Sequence, residues 1–109
     1  MPTDNVEAFD GPVTVIGLFP VAASEQDQLV DAINETGKVM RSQPGFLGSA
    51  VFTSLDGTRV IISSRWESVT ALKAAREDPE GIKLSQKMFD IATPDPTVCV
   101  LRSEHFPPA

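Results

Sequence analysis

Trp66 is the chain's one tryptophan, and it closes a run of apolar and β-branched residues that mirrors another across Asp56-Gly57. Its indole offers an apolar plate for an aromatic ring and one N–H donor for a carbonyl or phenolate oxygen. Asp56-Gly57 is a two-residue turn signal, because both central positions of a type I′ turn need positive φ. With Leu55 opposite Thr58, Val51 faces Ile62, Ser49 faces Ser64 and Leu47 faces Trp66, all on one side of a sheet. A close-packed core would fill the serine positions with aliphatic side chains, so an indole beside two small hydroxyls fits the floor of a pocket. Trp66 and Ser64 are the candidate catalytic residues, with Ser49, Val51 and Ile62 as substrate contacts beside them. The plainer alternative is a core tryptophan flanked by serines bonded to backbone.

Few other side chains can do polar work. Gln86 projects from the helix expected to roof the pocket, one turn before Phe89, and both are candidate substrate contacts. The alternative for Gln86 is a solvated helix face. His105 alone has an unperturbed pKa near neutrality, but four residues from the C-terminus it reads better as a solvated or dimer-edge histidine than as a general base. Arg65 alternates with Trp66 and should point to the opposite sheet face, where a salt bridge across a dimer suits it better than catalysis. Cys99 is the sole cysteine and reads as a small buried hydrophobe; with one histidine it cannot supply a structural zinc cluster, so no metal is expected. Lys73, Arg76, Glu77 and Asp78 read as an exposed helix end without a function. No nucleophile triad can be assembled, and no glycine-rich nucleotide loop follows a strand.

The elements that must hold these residues follow from period and punctuation. Residues 1–11 form a loose arm, residues 12–106 the domain and 107–109 a tail. Val13 to Phe19 is a β-branched strand stopped by Pro20. Ser24 is placed to cap a helix whose stripe is Leu29, Ile33, Gly37 and Met40, and Pro44-Gly45 ends that element and launches the hairpin. After Trp66 the period returns to about 3.6. Ser68 caps a short helix burying Val69, Leu72 and Ala75. Asp78-Pro79 starts another, with Ile82, Ser85, Gln86 and Phe89 on one side and Leu84, Met88 and Ile91 on another. So broad an apolar surface should be buried. Thr97 to Phe106 reads as a final strand.

At 109 residues the chain is one domain. Fifteen acidic against nine basic side chains give a formal charge of −6, which makes nucleic acid a poor partner. No apolar run approaches the roughly 18 residues of a membrane span, and no secretory pattern follows Met1, so the expected location is the cytoplasm. Strand, helix, strand, strand, helices, strand specifies an α+β ferredoxin-like sandwich, with helices on one face of an antiparallel sheet. Strand one is apolar on both sides, Val13, Val15 and Phe19 against Ile16 and Leu18. The second face therefore calls for a partner sheet, and a homodimer is expected.

The order Pro44-Gly45-Phe46, Asp56-Gly57-Thr58-Arg59, Arg65-Trp66-Glu67-Ser68 resembles the antibiotic biosynthesis monooxygenase family. Its members carry Pro-Gly-Phe before the second strand, Asp-Gly in the hairpin and Trp-Glu-Ser closing the third. The resemblance implies a dimeric α+β barrel with a ligand pocket in each subunit between sheet and helices. The family includes cofactor-independent oxygenases of aromatic polyketide pathways, haem-degrading enzymes, quinol oxygenases and proteins without established activity. Its characterised oxygenases use a tryptophan at the motif position of Trp66. The family pattern also places an asparagine four residues earlier, where this chain has Ile62, which cannot donate to an oxyanion or peroxide. Leu72 stands where some relatives have tyrosine, and it joins the substrate contacts. The helical histidine of haem-degrading relatives is absent between Ser68 and Asp90, so haem ligation is not expected.

What the resemblance implies is a monooxygenase working with O₂ on a polycyclic phenol or anthrone without metal, flavin or haem. Trp66 would orient the rings, and Ser64 or Ser49 would replace the missing amide. The alternatives are a polyketide cyclase or other non-redox pathway enzyme, or a non-catalytic small-molecule-binding protein, which Ile62 favours.

Overall fold

The computed structural model describes residues 9–109; most of the arm expected over 1–11 lies outside the described residues. The elements are β1 (Val13–Pro20), a 3₁₀ turn (Ala23–Glu25), α1 (Gln26–Met40), β2 (Phe46–Thr53), β3 (Arg59–Trp66), α2 (Val69–Arg76), α3 (Pro79–Ile91) and β4 (Asp95–Cys99). The four strands form one antiparallel sheet in the order β2-β3-β1-β4, the expected ferredoxin-like sandwich. Val13, Val15 and Phe19 of β1 are buried on the helix side. Val13 and Val15 pack with Trp66, Val69, Leu72 and Ala75 beneath α2. Phe19 and Val60 pack with Leu29 and Ile33 of α1 and Met88 of α3. Phe19, Leu29 and Val60 are the largest fully buried side chains, each stabilising the fold by about 1.5–3 kcal/mol.

Two helix starts form as their sequences dictate. Ser68 Oγ accepts from the Ala71 amide at 3.1 Å, and Asp78 Oδ2 accepts from that of Gly81 at 2.9 Å ahead of Pro79. Ser24 does not cap α1. It lies inside the 3₁₀ turn, and α1 begins after Glu25 without a side-chain cap. The fixed point there is Gln26, whose amide donates to the carbonyls of Ser54 (3.1 Å) and Arg59 (3.0 Å) and ties α1 to the hairpin tip.

The hairpin departs from expectation at both ends. Only Gly57 in the turn has positive φ, at 80°, so Asp56-Gly57 is not a type I′ pair. Ser54 closes on Arg59 (Ser54 N–H to Arg59 O, 3.0 Å), leaving a four-residue loop. Asp56 organises it, its Oδ1 accepting from Thr58 Oγ1 (2.7 Å), Ser54 Oγ (2.8 Å) and the Thr58 amide (3.0 Å). Those bonds, from Thr58 above all, hold its carboxyl at about 2 against an ordinary 3.8. The expected register survives, with Val51 opposite Ile62 and Ser49 opposite Ser64. It breaks between Phe46 and Gly48, where a bulge takes up one residue and sets Phe46, not Leu47, opposite Trp66.

Three further expectations are corrected. The final strand ends at Cys99 rather than Phe106, because β1, its only partner, runs out: Thr14 pairs with Cys99, and Pro12 just ahead of β1 has no N–H to offer. Residues 100–109 are exposed and without regular structure, His105 among them. Cys99 is half-buried on the outer sheet face rather than packed in the core. On α3, Met88 is buried, whereas Ile82 and Phe89 stay exposed because the sheet opposite them is set back behind a cavity.

The outer face of the sheet carries Ile16, Leu18, Ile61 and Phe52, with Leu18, Ile61 and Phe52 side by side across three strands. Phe52 is 55 % exposed. Arg65 points to this side, level with Thr14 and Gly48. No helix is long and apolar enough to cross a membrane among the described residues.

Candidate functional site

The site is built on the junction of two short motifs. Gly45 has φ 84°, and its carbonyl accepts from the Glu67 amide at 2.8 Å. A Cβ on it would lie 2.5 Å from the Cβ of Ala71, so only glycine lets the open end of the hairpin close against α2. Phe46, the next residue, meets Trp66 edge to face, with ring centroids 5.2 Å apart and planes at 80°. Pro44-Gly45-Phe46 and Trp66-Glu67-Ser68 thus clamp one end of the sheet.

Beside this clamp, between the sheet and the helices, lies a cavity of about 870 Å³ with mostly apolar walls, within the size range of small-molecule sites. All eight residues predicted from sequence border it: Trp66, Ser64, Ser49, Val51, Ile62 and Leu72 on the sheet and α2 side, Gln86 and Phe89 on α3. Their exposures differ. Trp66 is 2 % exposed and Leu72 is buried beside it, so each presents only an edge, whereas Phe89 is 45 % exposed and Gln86 is exposed on the roof.

The indole N–H has a partner already. Trp66 Nε1 donates to Ser64 Oγ at 3.1 Å. The donor that the sequence offers to a ligand is therefore spent inside the protein, and Trp66 fills a core position as well as a cavity edge. Ser64 is half-buried, and no acceptor takes its own proton among the described residues. A hydroxyl that accepts from a fixed N–H is polarised and becomes a better donor. Ser64 can thus point a strengthened O–H into the cavity, with Ser49 directly across the strand pair.

Ile62 lies in the next row, between Gly17 and Val51. A Cβ on Gly17 would approach Ile62 Cγ1 to 3.2 Å, so the isoleucine leans over bare backbone and makes that part of the floor apolar. Pro96 is level with Gly17 on the other side, and both border the cavity. The sequence reading missed them, and also Ser85, whose place on the Gln86–Phe89 side of α3 could have revealed it. It missed Lys38, Arg41 and Arg76 as well, where two helix ends converge in a way that no local pattern announces. No Asp, Glu or His borders the cavity among the described residues, and no group of three or more His, Cys, Asp and Glu is placed to hold a metal ion.

A family model described as antibiotic biosynthesis monooxygenase matches residues 12–81. The chain is 30 % identical over 91 residues to the tetracenomycin-F1 monooxygenase of Streptomyces glaucescens, across 79 % of this chain and 78 % of that one. Among solved structures it is similar to SnoaB, a cofactor-independent oxygenase from Streptomyces nogalater, with a TM-score of 0.76 at 18 % identity, covering 86 % of this chain and 96 % of that one. A Mycobacterium tuberculosis protein matches with a TM-score of 0.75 at 22 % identity, covering 85 % and 97 %. At those identities the two structures speak for the fold alone.

Proposed function

The chain belongs to the antibiotic biosynthesis monooxygenase family, and from that membership we propose that it is a cofactor-independent oxygenase of aromatic polyketide or antibiotic biosynthesis, acting with O₂ on a polycyclic phenol or anthrone. The observation that carries the reading is the Trp66 N–H to Ser64 Oγ bond at the edge of a large apolar cavity. It sets one polarised hydroxyl where a flat, oxygen-bearing ligand would lie. Ser64 is the group that donates to the substrate's oxygen, and Trp66 is a positioning residue acting through it. Ser49, Val51, Ile62, Leu72, Gln86 and Phe89 contact the rings.

The chemistry is carried by the substrate. An anthrone methylene loses a proton to water at the open side of the cavity, since no carboxylate or imidazole lines the wall among the described residues. The carbanion passes one electron to O₂, the two radicals combine through a new C–O bond, and the peroxide anion takes back a proton from water to give a hydroperoxide. Loss of the second methylene proton and cleavage of the O–O bond release water and leave a carbonyl. Ser64 O–H donates to the substrate oxygen on which negative charge accumulates, an interaction stronger in the transition state than in the ground state. The cavity holds the rings and limits side reactions with water.

The protein acts as a homodimer, its outer face of Ile16, Leu18, Phe52 and Ile61 covered by a second copy to give a dimeric α+β barrel. This part falls if sedimentation at micromolar concentration finds only monomer. The oxygenase reading is tested by O₂ uptake and product mass with metal-free protein and a polycyclic anthrone. Protein-dependent uptake giving a product with one oxygen in place of two hydrogens supports it; an anthrone that binds but oxidises at its spontaneous rate refutes it. Ile62 supports a second reading, a polyketide cyclase or other non-redox pathway enzyme, or a non-catalytic binding protein. Cyclisation with aromatisation loses water and consumes no O₂, so the same assay separates it.

A further inference from the structure

The two edges of the sheet are guarded differently. At one edge β4 carries Asp95 and Pro96, a charge and a residue without an N–H, and both discourage a further strand. At the other edge β2 is eight residues long, from Phe46 to Thr53, and holds neither a charged residue nor a proline. Its irregularity is confined to the bulge between Phe46 and Gly48. From Ser49 to Thr53 it pairs in unbroken register with β3 on one side, and among the described residues no strand lies on the other. A regular, uncharged edge of this kind is a template for pairing with another chain.

The chain also holds a segment that lacks a partner. Leu101 to Phe106 follows directly from β4 and completes the run that the sequence reads as one strand, yet β1 ends before reaching it. Leu101 is 66 % and Phe106 79 % exposed, and Pro107-Pro108 closes the segment with two residues that cannot donate. It does not cover β2 of its own chain: β3 and β1 lie between β2 and β4, and all of residues 100–109 are exposed. We propose that Leu101–Phe106 is an exchange strand, pairing along the free edge of β2 in a second copy while that copy's segment pairs with β2 of the first. Six extended residues span about 20 Å, twice the ~10 Å between stacked sheets, so the segment can reach. Main-chain hydrogen bonds give such an added strand its affinity, and reciprocal exchange is a closed, two-fold arrangement. The proposal rests on the homodimer described above and goes beyond it: that dimer covers the outer face of the sheet, whereas the exchange occupies its edge. Because β2 brings Ser49 and Val51 to the cavity, the partner's segment extends the cavity floor by one strand, and each site is built from two chains.

The test removes a segment that the single chain does not use for its own core. A chain ending at Val100 should keep its circular dichroism, while sedimentation equilibrium shows dimerisation weakened at least about 100-fold, the scale of returning Leu101 and Phe106 to water. Proline substitutions in the full chain separate backbone pairing from apolar docking. Successive N–H groups of a strand point to opposite sides, so one of Ser103→Pro and Glu104→Pro should remove a bond to β2 and weaken the dimer about tenfold or more, the other doing less. Hydrogen exchange locates the contact: the β2 amides not bonded to β3 should exchange at least about tenfold more slowly in the full chain than in the shortened one, with the amides at the free edge of β4 unchanged.

A shortened chain that dimerises as tightly as the parent overturns the exchange and leaves the face-to-face dimer standing. A parent that stays monomeric at micromolar concentration sinks both. Weakened dimerisation on shortening, with both proline variants matching the parent, overturns strand pairing, because the segment would then bind through its side chains alone. Equal exchange of the β2 edge amides in the two chains also overturns it.

Discussion

Ser64→Ala separates the two roles given to the Trp66–Ser64 hydrogen bond. The substitution leaves the indole N–H, on a side chain 2 % exposed, without its 3.1 Å acceptor. A buried donor stripped of its partner costs about 1–3 kcal/mol. Because Ser64 borders the cavity, a water molecule can enter and accept in its place, which puts the cost near the lower end, about 1 kcal/mol. For a domain of this size that lowers Tm by roughly 4–8 °C. The assay is a double-mutant cycle in urea with Trp66→Phe, whose ring keeps most of the packing and has no N–H. In the phenylalanine background Ser64→Ala should cost almost nothing, giving a coupling of about 1 kcal/mol. Turnover should fall about 100–1,000-fold in Ser64→Ala, the range seen when a transition-state donor is removed, and Ser64→Thr should recover part of it. A Ser64→Ala cost that is the same in both backgrounds would refute the reasoning, since the hydroxyl and the indole would then be energetically independent.

Gly45→Ala should destabilise the fold by about 1–3 kcal/mol from its positive φ alone, with more from the contact with Ala71; a denaturation midpoint unchanged from the parent would contradict the clamp. Ile62→Asn restores an amide at the position where the family pattern has one, and should raise anthrone-dependent O₂ uptake about tenfold or more. A rate at or below the parent's would show that this chain's chemistry does not pass through that position. Asp56 has a folded-state pKa of about 2, below its ordinary 3.8, so its ionised form stabilises the loop above about pH 4 and that contribution disappears as pH falls through 2. Asp56→Asn should therefore melt below the parent at pH 7 and converge with it near pH 2; a gap that stays constant over that range excludes the carboxylate as its source.

Much of the floor of the site was legible because it obeys period-two geometry. Once Val51 is set against Ile62, the pleat places Ser49, Ser64 and Trp66 on one side, and alternation alone sends Arg65 to the other. Bulges and loop closures break that counting. Nothing local says that Leu47 is squeezed out so that Phe46 can meet Trp66, or that a carboxylate with three donors will hold Asp56-Gly57 in a four-residue loop. The hydrogen bond between residues 64 and 66 was hidden for another reason: both types are good ligand contacts, and only the folded chain shows the indole N–H spent on the serine oxygen. Arg76 looked like an ordinary solvated helix end because its place at the cavity depends on α1 ending and α3 beginning nearby, where Met40 seats against Gly81.

The two walls of the cavity are tied down very differently. The β2–β3 floor is fastened at its tip by Gln26 reaching Ser54 and Arg59, and at its base by Gly45 holding Glu67. The roof helix α3 buries Gly81 and Met88 but leaves Ile82 and Phe89 nearly half exposed. Local opening should begin where few apolar groups are buried, so α3 is the element that breathes while the strands carrying the serines stay still. A ligand spanning the cavity would then act as a keystone, slowing amide hydrogen exchange along α3 while leaving β2 and β3 as they were. The hydroxyl pair would keep its geometry through loading and release, and the time spent with the roof open would fall on a helix that carries no part of the hydrogen-bonded pair.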